Sequence, residues 1–285
     1  MLNKKEIIEL INKSYKNRLT LLEIIRKTGV AHLGGAFSSM DLMTVLYSKV
    51  LRHNPKKPKW DSRDIFILSA GHKGVGYYII LQSEGYFARD ILFTGNQMHT
   101  KVPMHPDNKL LPGIEFPTGS LGHGLPVASG IALASKRDGL NRKIFVLMGD
   151  GEAAEGSVWE AVLGIAKYKL DNLILIIDVN RLQSENYTQE ILPVEPFENK
   201  YRDFGWSVRT IDGHNIPQIY KALTEAPFED NKPTCIIANT IKGKGVDFAE
   251  NSPDFHYWSP SNIKDIDKAV KCLKICWGKE VNRIG

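Results

Sequence analysis

Cysteine is nearly missing from this sequence: Cys235, Cys272 and Cys276 are the three examples among 285 residues. A sparse, odd set cannot build a disulfide framework and suits a reducing compartment. No second Cys or His pair stands beside Cys272 and Cys276 as a zinc site would require, so both are expected to pack within a helix. Long apolar runs are also absent. "LILII" at 173–177 is typical of the longest, far short of the roughly 18 residues of a membrane span, and charges interrupt the opening "MLNKKEIIEL" where a signal peptide would be continuous. Nor is there an extended block of one charge sign. The net charge of +5 includes a short "KKPK" at 56–59, which reads as a solvated loop, not a nucleic-acid surface. These absences predict a soluble, cytoplasmic protein without membrane or nucleic-acid partners.

What is present is apolar residue enough, 42%, for a large core, with 24 Gly and 14 Pro scattered without a repeat. A single large domain over 1–285 with an N-terminal helical segment is expected. Ile7, Ile8, Ile11, Tyr15, Leu19, Leu22 and Ile25 recur at helical spacing, Asn3 with Glu6 suits an N-cap and Gly29 a stop. "AHLGGAFSSMDL" reads as a loop of small residues, after which Ser39 caps a second helix carrying Leu42, Val45, Leu46 and Val50. From there short apolar runs alternate with helical stretches: 65–69, 143–149, 172–178, 206–211 and 233–240 against 74–84, 122–137, 155–168 and 216–225. Nearly continuous apolar strands between helices argue for an α/β fold, a doubly wound and mostly parallel sheet with helices on both faces. In such sheets ligands sit beyond the carboxyl ends of the strands, which directs attention to "SAGHKG", "GDGEAAEG", "VNRLQSE" and "IKGKGVDF".

"VLMGDGEAAEG" ends an apolar strand on a carboxylate between two glycines. Gly149 and Gly151 let the chain bend and let a ligand approach without a Cβ in the way. The following helix points free N–H groups and its positive dipole end at the turn, which favours phosphate, whereas Asp150 would repel it unless a cation lay between. Mg²⁺, an oxygen-liganded ion, resolves the conflict; Asn180 thirty residues later, one βαβ crossover away, and the Leu182 carbonyl could complete its protein ligands. A lone Gly-Asp-Gly is equally an ordinary tight turn; the strand before it and the strand-ending Asn after it favour the ligand site.

Together, "MGDGEAAEGSVWEA…NLILIIDVNRLQ", "AHLGGAFSSMDLMTVLY", "DIFILSAGHKG", "MHPD", "LPGIEFPTGSLGHGL", "FGWSVRTIDGHN" and "TIKGKGVDFAEN" resemble the amino-terminal, diphosphate-binding part of the transketolase family. The resemblance implies thiamine diphosphate as cofactor, with Mg²⁺ (Ca²⁺ or Mn²⁺ being possible) held by Asp150, Asn180 and the Leu182 carbonyl. Gly149, Gly151, Glu152, Ser120, Lys242, His72 and His256 are implied as cofactor-binding residues, Gly151 and His72 at its diphosphate, with Gly119 and Leu121 against its pyrimidine ring; His32 and His256 are implied beside the donor carbonyl and His105 at the sugar's terminal hydroxyl. Glu155 matches an acid of a carboxylate network at a subunit interface. His32, His72, His105 and His256 match four histidines, and imidazoles near neutrality can both donate to and accept from sugar hydroxyls and a developing oxyanion. His53, His99, His123 and His214 lack such support and read as structural.

The implied activity is transfer of a two-carbon ketol unit from a ketose, or ketose phosphate, to an aldose, the cofactor carrying the carbon chemistry while the protein orients and protonates. No second α/β alternation supplies a pyrimidine-binding domain, so that half is expected on a separate C-terminal subunit in an α2β2 assembly, and "VNRIG" reads as a natural tail. Lys73, Gly76, Met104 and Tyr257 depart from the family pattern, and each is expected to border the sugar-acceptor side. Three alternatives stand beside it: a 2-oxo acid decarboxylase component, which has less use for several hydroxyl partners; a catalytically idle cofactor-binding or regulatory subunit; and a nucleotide-binding fold, disfavoured because no G-x-G-x-x-G follows the first strand.

Overall fold

The computed structural model describes residues 1–259 and 263–284. Helix α1 (Lys4–Thr28) begins at Asn3, whose side chain accepts from the Glu6 N–H while Glu6 accepts from the Asn3 N–H, closing the expected cap as a capping box. It stops at Gly29, whose φ of 89° lies in the left-handed region glycine enters freely. Helix α2 (Leu33–Val45) runs on through a π-helical turn, Leu46–Val50. Strands β1 (Ile65–Leu68), β2 (Ile144–Gly149), β3 (Leu173–Val179), β4 (Ser207–Asp212) and β5 (Thr234–Asn239) then alternate with helices. These are α3 (Gly74–Ser83), α4 (Gly124–Arg137), α5 (Gly156–Lys167), the short α6 (Thr188–Ile191) and α7 (Phe197–Asp203), α8 (Ile216–Glu225) and, after β5, α9 (Ile263–Ile284).

The strands form one parallel sheet in the order β1-β2-β3-β5-β4. The chain steps outward to β4 and returns to insert β5 beside β3, so its direction across the sheet reverses there. β2 and β3 are buried along their whole length, which is why they read as unbroken apolar runs. Alternate strand residues feed two cores. Phe66, Phe145, Ile174 and Ile236 face the layer of α1, α2, α3, α8 and α9; Ile67, Val146, Leu175 and Ile237 face α4, α5 and α7. The doubly wound fold inferred from the sequence is the one observed.

The expected loop at 31–42 is a correction. α2 starts at Leu33, and Ser39 is no cap: its hydroxyl donates back to the Gly35 carbonyl at 2.8 Å. All thirteen residues of α2 are buried, so the helix has no polar face and no amphipathic period to read. Its small residues serve close approach: a Cβ at Gly34 would stand 2.8 Å from the Phe255 carbonyl. Gly76, expected at the acceptor side, is likewise a packing position, where a Cβ would meet Ala36 of α2 at 3.2 Å.

α1 and α2 are locked by a buried charge cluster. Arg18 donates from both terminal nitrogens to Asp41 (2.9 and 2.8 Å) and also to Ser14 and the Phe37 carbonyl, while Ser14 donates to Asp41. His214 joins through Nδ1 to Asp41 at 2.7 Å, and its Nε2 accepts from the Ile241 N–H at 2.9 Å. That second bond fixes Nδ1 as the protonated nitrogen of the neutral ring. Burial opposes ionisation of Asp41, but the adjacent Arg18, aided by His214, holds its carboxyl well below the usual range. A depressed carboxyl contributes stability that is present above its unfolded value and is lost as pH falls below it. Thermal melts should therefore drop more steeply between about pH 5 and about pH 3 for the unmodified chain than for Asp41→Asn. Parallel curves would show that Asp41 contributes no such term.

Candidate functional site

The four strand-end segments singled out in the sequence converge on one cavity of about 270 Å³ at the carboxyl edge of the sheet, lined in part by His72 and Lys73 after β1, Gly149–Glu152 after β2, Asn180 and Leu182 after β3, and Lys242 after β5. β2 ends at Gly149, where an added Cβ would find open space, Lys73 Nζ being the nearest atom at 4.0 Å. The Asp150 carboxylate, nearly buried, accepts from the backbone N–H of Gly151 (2.8 Å) and of Arg181 (2.5 Å). Arg181 turns the chain with a left-handed φ of 62°, and Asn180 Oδ1 accepts from the Leu182 N–H at 3.1 Å. Asp150, Asn180 and Leu182 thus stand on neighbouring parallel strand ends, as their spacing implies.

Asp150 is short of positive partners. Asp41, Asp64 and Asp178 each pair with a basic side chain, whereas among the described residues no ion pair reaches Asp150. Burial, and then the neighbouring Asp178, push its carboxyl up to about 6. Lys242, also buried, donates to the carbonyls of Leu182 (3.3 Å) and Gln183 (2.6 Å) and lies 2.9 Å from His256 Nδ1. Burial lowers its ammonium to about 8.

Glu152 lines the cavity, but its oxygens are engaged by the Ser69 hydroxyl and by the N–H groups of Gly122 (2.9 Å) and Gly149 (3.2 Å). It therefore clasps the "TGSLG" segment to the Gly-Asp-Gly turn. Close packing of α4 on the end of β1 needs glycine at 124, where a Cβ would collide with Ser69.

The four histidines meet. Ring centroids lie 5.4 Å apart for His32–His256 and His72–His256, 5.8 Å for His32–His72 and 6.5 Å for His32–His105. Burial lowers all three of His32 (to about 4), His256 (to about 3) and His72, assisted by His105 and Lys242, by Lys242, and by Lys73 respectively. Near pH 7 these rings are neutral, each with one donor and one acceptor nitrogen. Tyr257 packs edge-on against His32 at 4.8 Å, and Met104 lines a smaller adjoining cavity of about 50 Å³ beside His32 and His72.

Not every predicted residue faces the main cavity. Gly119 and Leu121 line it, Ser120 lines a neighbouring groove with His123, and Glu155 is exposed at the start of α5. His53 is bonded to Tyr86 and to the Tyr47 carbonyl, away from the cluster. Lys73 borders the strand-end cavity, and its ammonium pairs with Asp178 at 2.5 Å. Sequence reasoning passed over Asp178 because it stands at the end of an apolar run and its partner is 105 residues away. Gln183 and Ser184, also lining the cavity, were missed as part of the "VNRLQSE" loop.

Residues 11–282 match the family described as transketolase, thiamine diphosphate binding domain. The chain is 42% identical over 249 residues to a 6-deoxy-6-sulfo-D-fructose transketolase subunit of Clostridium sp. (strain MSTE9), covering 87% of this chain and 90% of that one. It is likewise 42% identical over 262 residues to a subunit of the apulose-4-phosphate transketolase of Actinobacillus succinogenes, covering 92% and 94%. Among solved structures, Pichia stipitis transketolase in complex with sedoheptulose-7-phosphate superposes with a TM-score of 0.86 at 30% identity, and Leishmania mexicana transketolase with 0.84 at 26%. The chain spans 40% and 46% of those two proteins, with 94% and 96% of its own length covered. By sequence, fold and the arrangement of its strand-end cavity, this chain belongs to the transketolase family and corresponds to the thiamine diphosphate-binding domain.

Proposed function

We propose that the chain is the N-terminal, diphosphate-binding subunit of a split transketolase-like transferase that moves a two-carbon ketol unit from a ketose or ketose phosphate to an aldose. The observation carrying this reading is the single cavity that joins Asp150, Asn180 and Leu182 to His72, His105 and His256, with His32 packed against them. The residues fit a divalent cation, Mg²⁺ first with Ca²⁺ or Mn²⁺ accepted: a buried carboxylate without a basic partner, an amide oxygen and a carbonyl oxygen stand together. Among the described residues no group of three or more His, Cys, Asp or Glu could hold a metal, and this set, with a single carboxylate, is of another kind.

Bound thiamine diphosphate would supply the carbon nucleophile that breaks and remakes the carbon–carbon bond. Asp150, Asn180 and the Leu182 carbonyl hold the cation, the open face of Gly149 admits the diphosphate, and Gly119 and Leu121 receive the ring. Neutral His32 and His256 donate to the substrate carbonyl oxygen as charge grows there, and His105 orients a sugar hydroxyl. That several neutral imidazoles are kept together favours an active subunit over an idle one.

A separate subunit, in keeping with relatives that are themselves named as subunits, supplies the pyrimidine-binding half in an α2β2 assembly in the cytoplasm, with Glu155 at the shared face. No described helix is long and apolar enough to cross a membrane. Tyr257 and Met104 flank the histidines on the sugar side and set which sugar enters.

Calorimetry of the chain with thiamine diphosphate and Mg²⁺, then a ketol-transfer assay after coexpression with its genomic neighbour, tests the reading. A reconstituted pair that binds cofactor and transfers no ketol from any ketose overturns the transferase. Gly149→Ala is a sharper local test. Its Cβ meets no protein atom closer than 4.0 Å, so the fold should hold while thiamine diphosphate binding weakens about tenfold. Unchanged affinity would move the diphosphate away from this turn.

A further inference from the structure

Lys73 is nearly inaccessible to solvent, yet it lines the strand-end cavity and packs its stem where Gly35 leaves room; a Cβ there would stand 3.2 Å from Lys73 Cε. Its ammonium is fixed by Asp178, which is held in turn by the hydroxyls of Ser38 (2.6 Å) and Thr240. An ammonium carries three N–H donors. Among the described residues Asp178 is the single hydrogen-bond partner of the Lys73 ammonium, leaving two of its donors unused at the floor of the cavity. The open side of Gly149, through which a ligand would approach, points at the same nitrogen, 4.0 Å from an added Cβ. A buried, rigidly held cation with spare donors beside a ligand-sized opening is arranged to receive an anion.

We propose that Lys73 is a second, protein-supplied cation of the diphosphate subsite, placing its spare N–H donors on phosphoryl oxygens while Asp178 anchors it. The inference rests on the thiamine diphosphate reading above. It also accounts for the pairing with Asp178: a flexible lysine would lose conformational freedom on each binding event, whereas one already clamped loses little.

Lys73→Met alone strands Asp178 as an unpaired buried acid and can unfold the chain, so the decisive variant is Lys73→Met with Asp178→Asn, which leaves the local net charge unchanged. Thiamine diphosphate, and inorganic pyrophosphate as a ring-free probe, are titrated calorimetrically into the full chain at saturating Mg²⁺, with thermal melts to confirm folding. We expect the double variant to fold and to bind both probes about ten- to hundredfold more weakly than the unmodified chain. Equal affinity for both overturns the role of Lys73 and leaves the cofactor reading standing. Failure of the double variant to fold assigns the pair to structure and also overturns it. If the unmodified chain binds neither probe with Mg²⁺, the cofactor reading itself fails, and this inference with it.

Discussion

Asp150→Ala should abolish metal-dependent binding of thiamine diphosphate, lowering the affinity by more than about a hundredfold at fixed Mg²⁺, since losing an ionic ligand costs several kcal/mol and each 1.4 kcal/mol is about tenfold. Asp150 is the carboxylate of the proposed set, and Asn180 and the Leu182 carbonyl are neutral oxygens that cannot replace its charge. The variant should still fold. Burial keeps the Asp150 carboxyl up near 6, so the metal-free fold bears a cost for ionising it at neutral pH, and its removal relieves that cost while freeing two backbone N–H groups. The measurement is a paired one: calorimetry with and without Mg²⁺, and a melting curve of the same sample. Retained tight binding in Asp150→Ala, or tight binding by the unmodified chain with no divalent ion present, would place the diphosphate elsewhere.

Arg18→Met should be the most damaging substitution to stability, at about 3–5 kcal/mol in urea unfolding, because it removes the main partner of a buried carboxylate. Asp41 would keep only Ser14 and His214 as hydrogen-bond partners. Arg18→Lys should recover only part of the loss, since one ammonium cannot supply the paired donors that now reach both oxygens of Asp41. The effect should extend to the site, because His214 holds the Ile241 N–H and Lys242 is the next residue. A shift below about 1 kcal/mol, the range of exposed pairs, would show that water enters and solvates Asp41.

The strands were legible because burial on both faces leaves an uninterrupted apolar run, and "NLILIID" at 172–178 lies within one residue at each end of the observed Leu173–Val179. The caps of α1 were legible for a local reason too, since Asn3, Glu6 and Gly29 act within one turn of the residues they serve. α2 was not, because a wholly buried helix of small residues has no polar side to set a period. The insertion of β5 between β3 and β4 was equally hidden, as strand order is decided by packing over long separations. At the site, residues that depend on one crossover, Asp150 and Asn180, could be placed from spacing. The Lys73–Asp178 and Arg18–Asp41–His214 pairings could not, because nothing local marks two distant charges as partners.

The cavity is walled by residues from Gly35 to His256, drawn from α2, from the ends of four strands and from loops far apart in the chain. No fragment that omits one of those four strands can retain it, and occupancy becomes a property of the folded sheet as a whole. A ligand held there at a hundred times its dissociation constant raises the free energy of global unfolding by about 2.7 kcal/mol. A bound ligand would therefore protect the strands that line the cavity together, not one loop at a time.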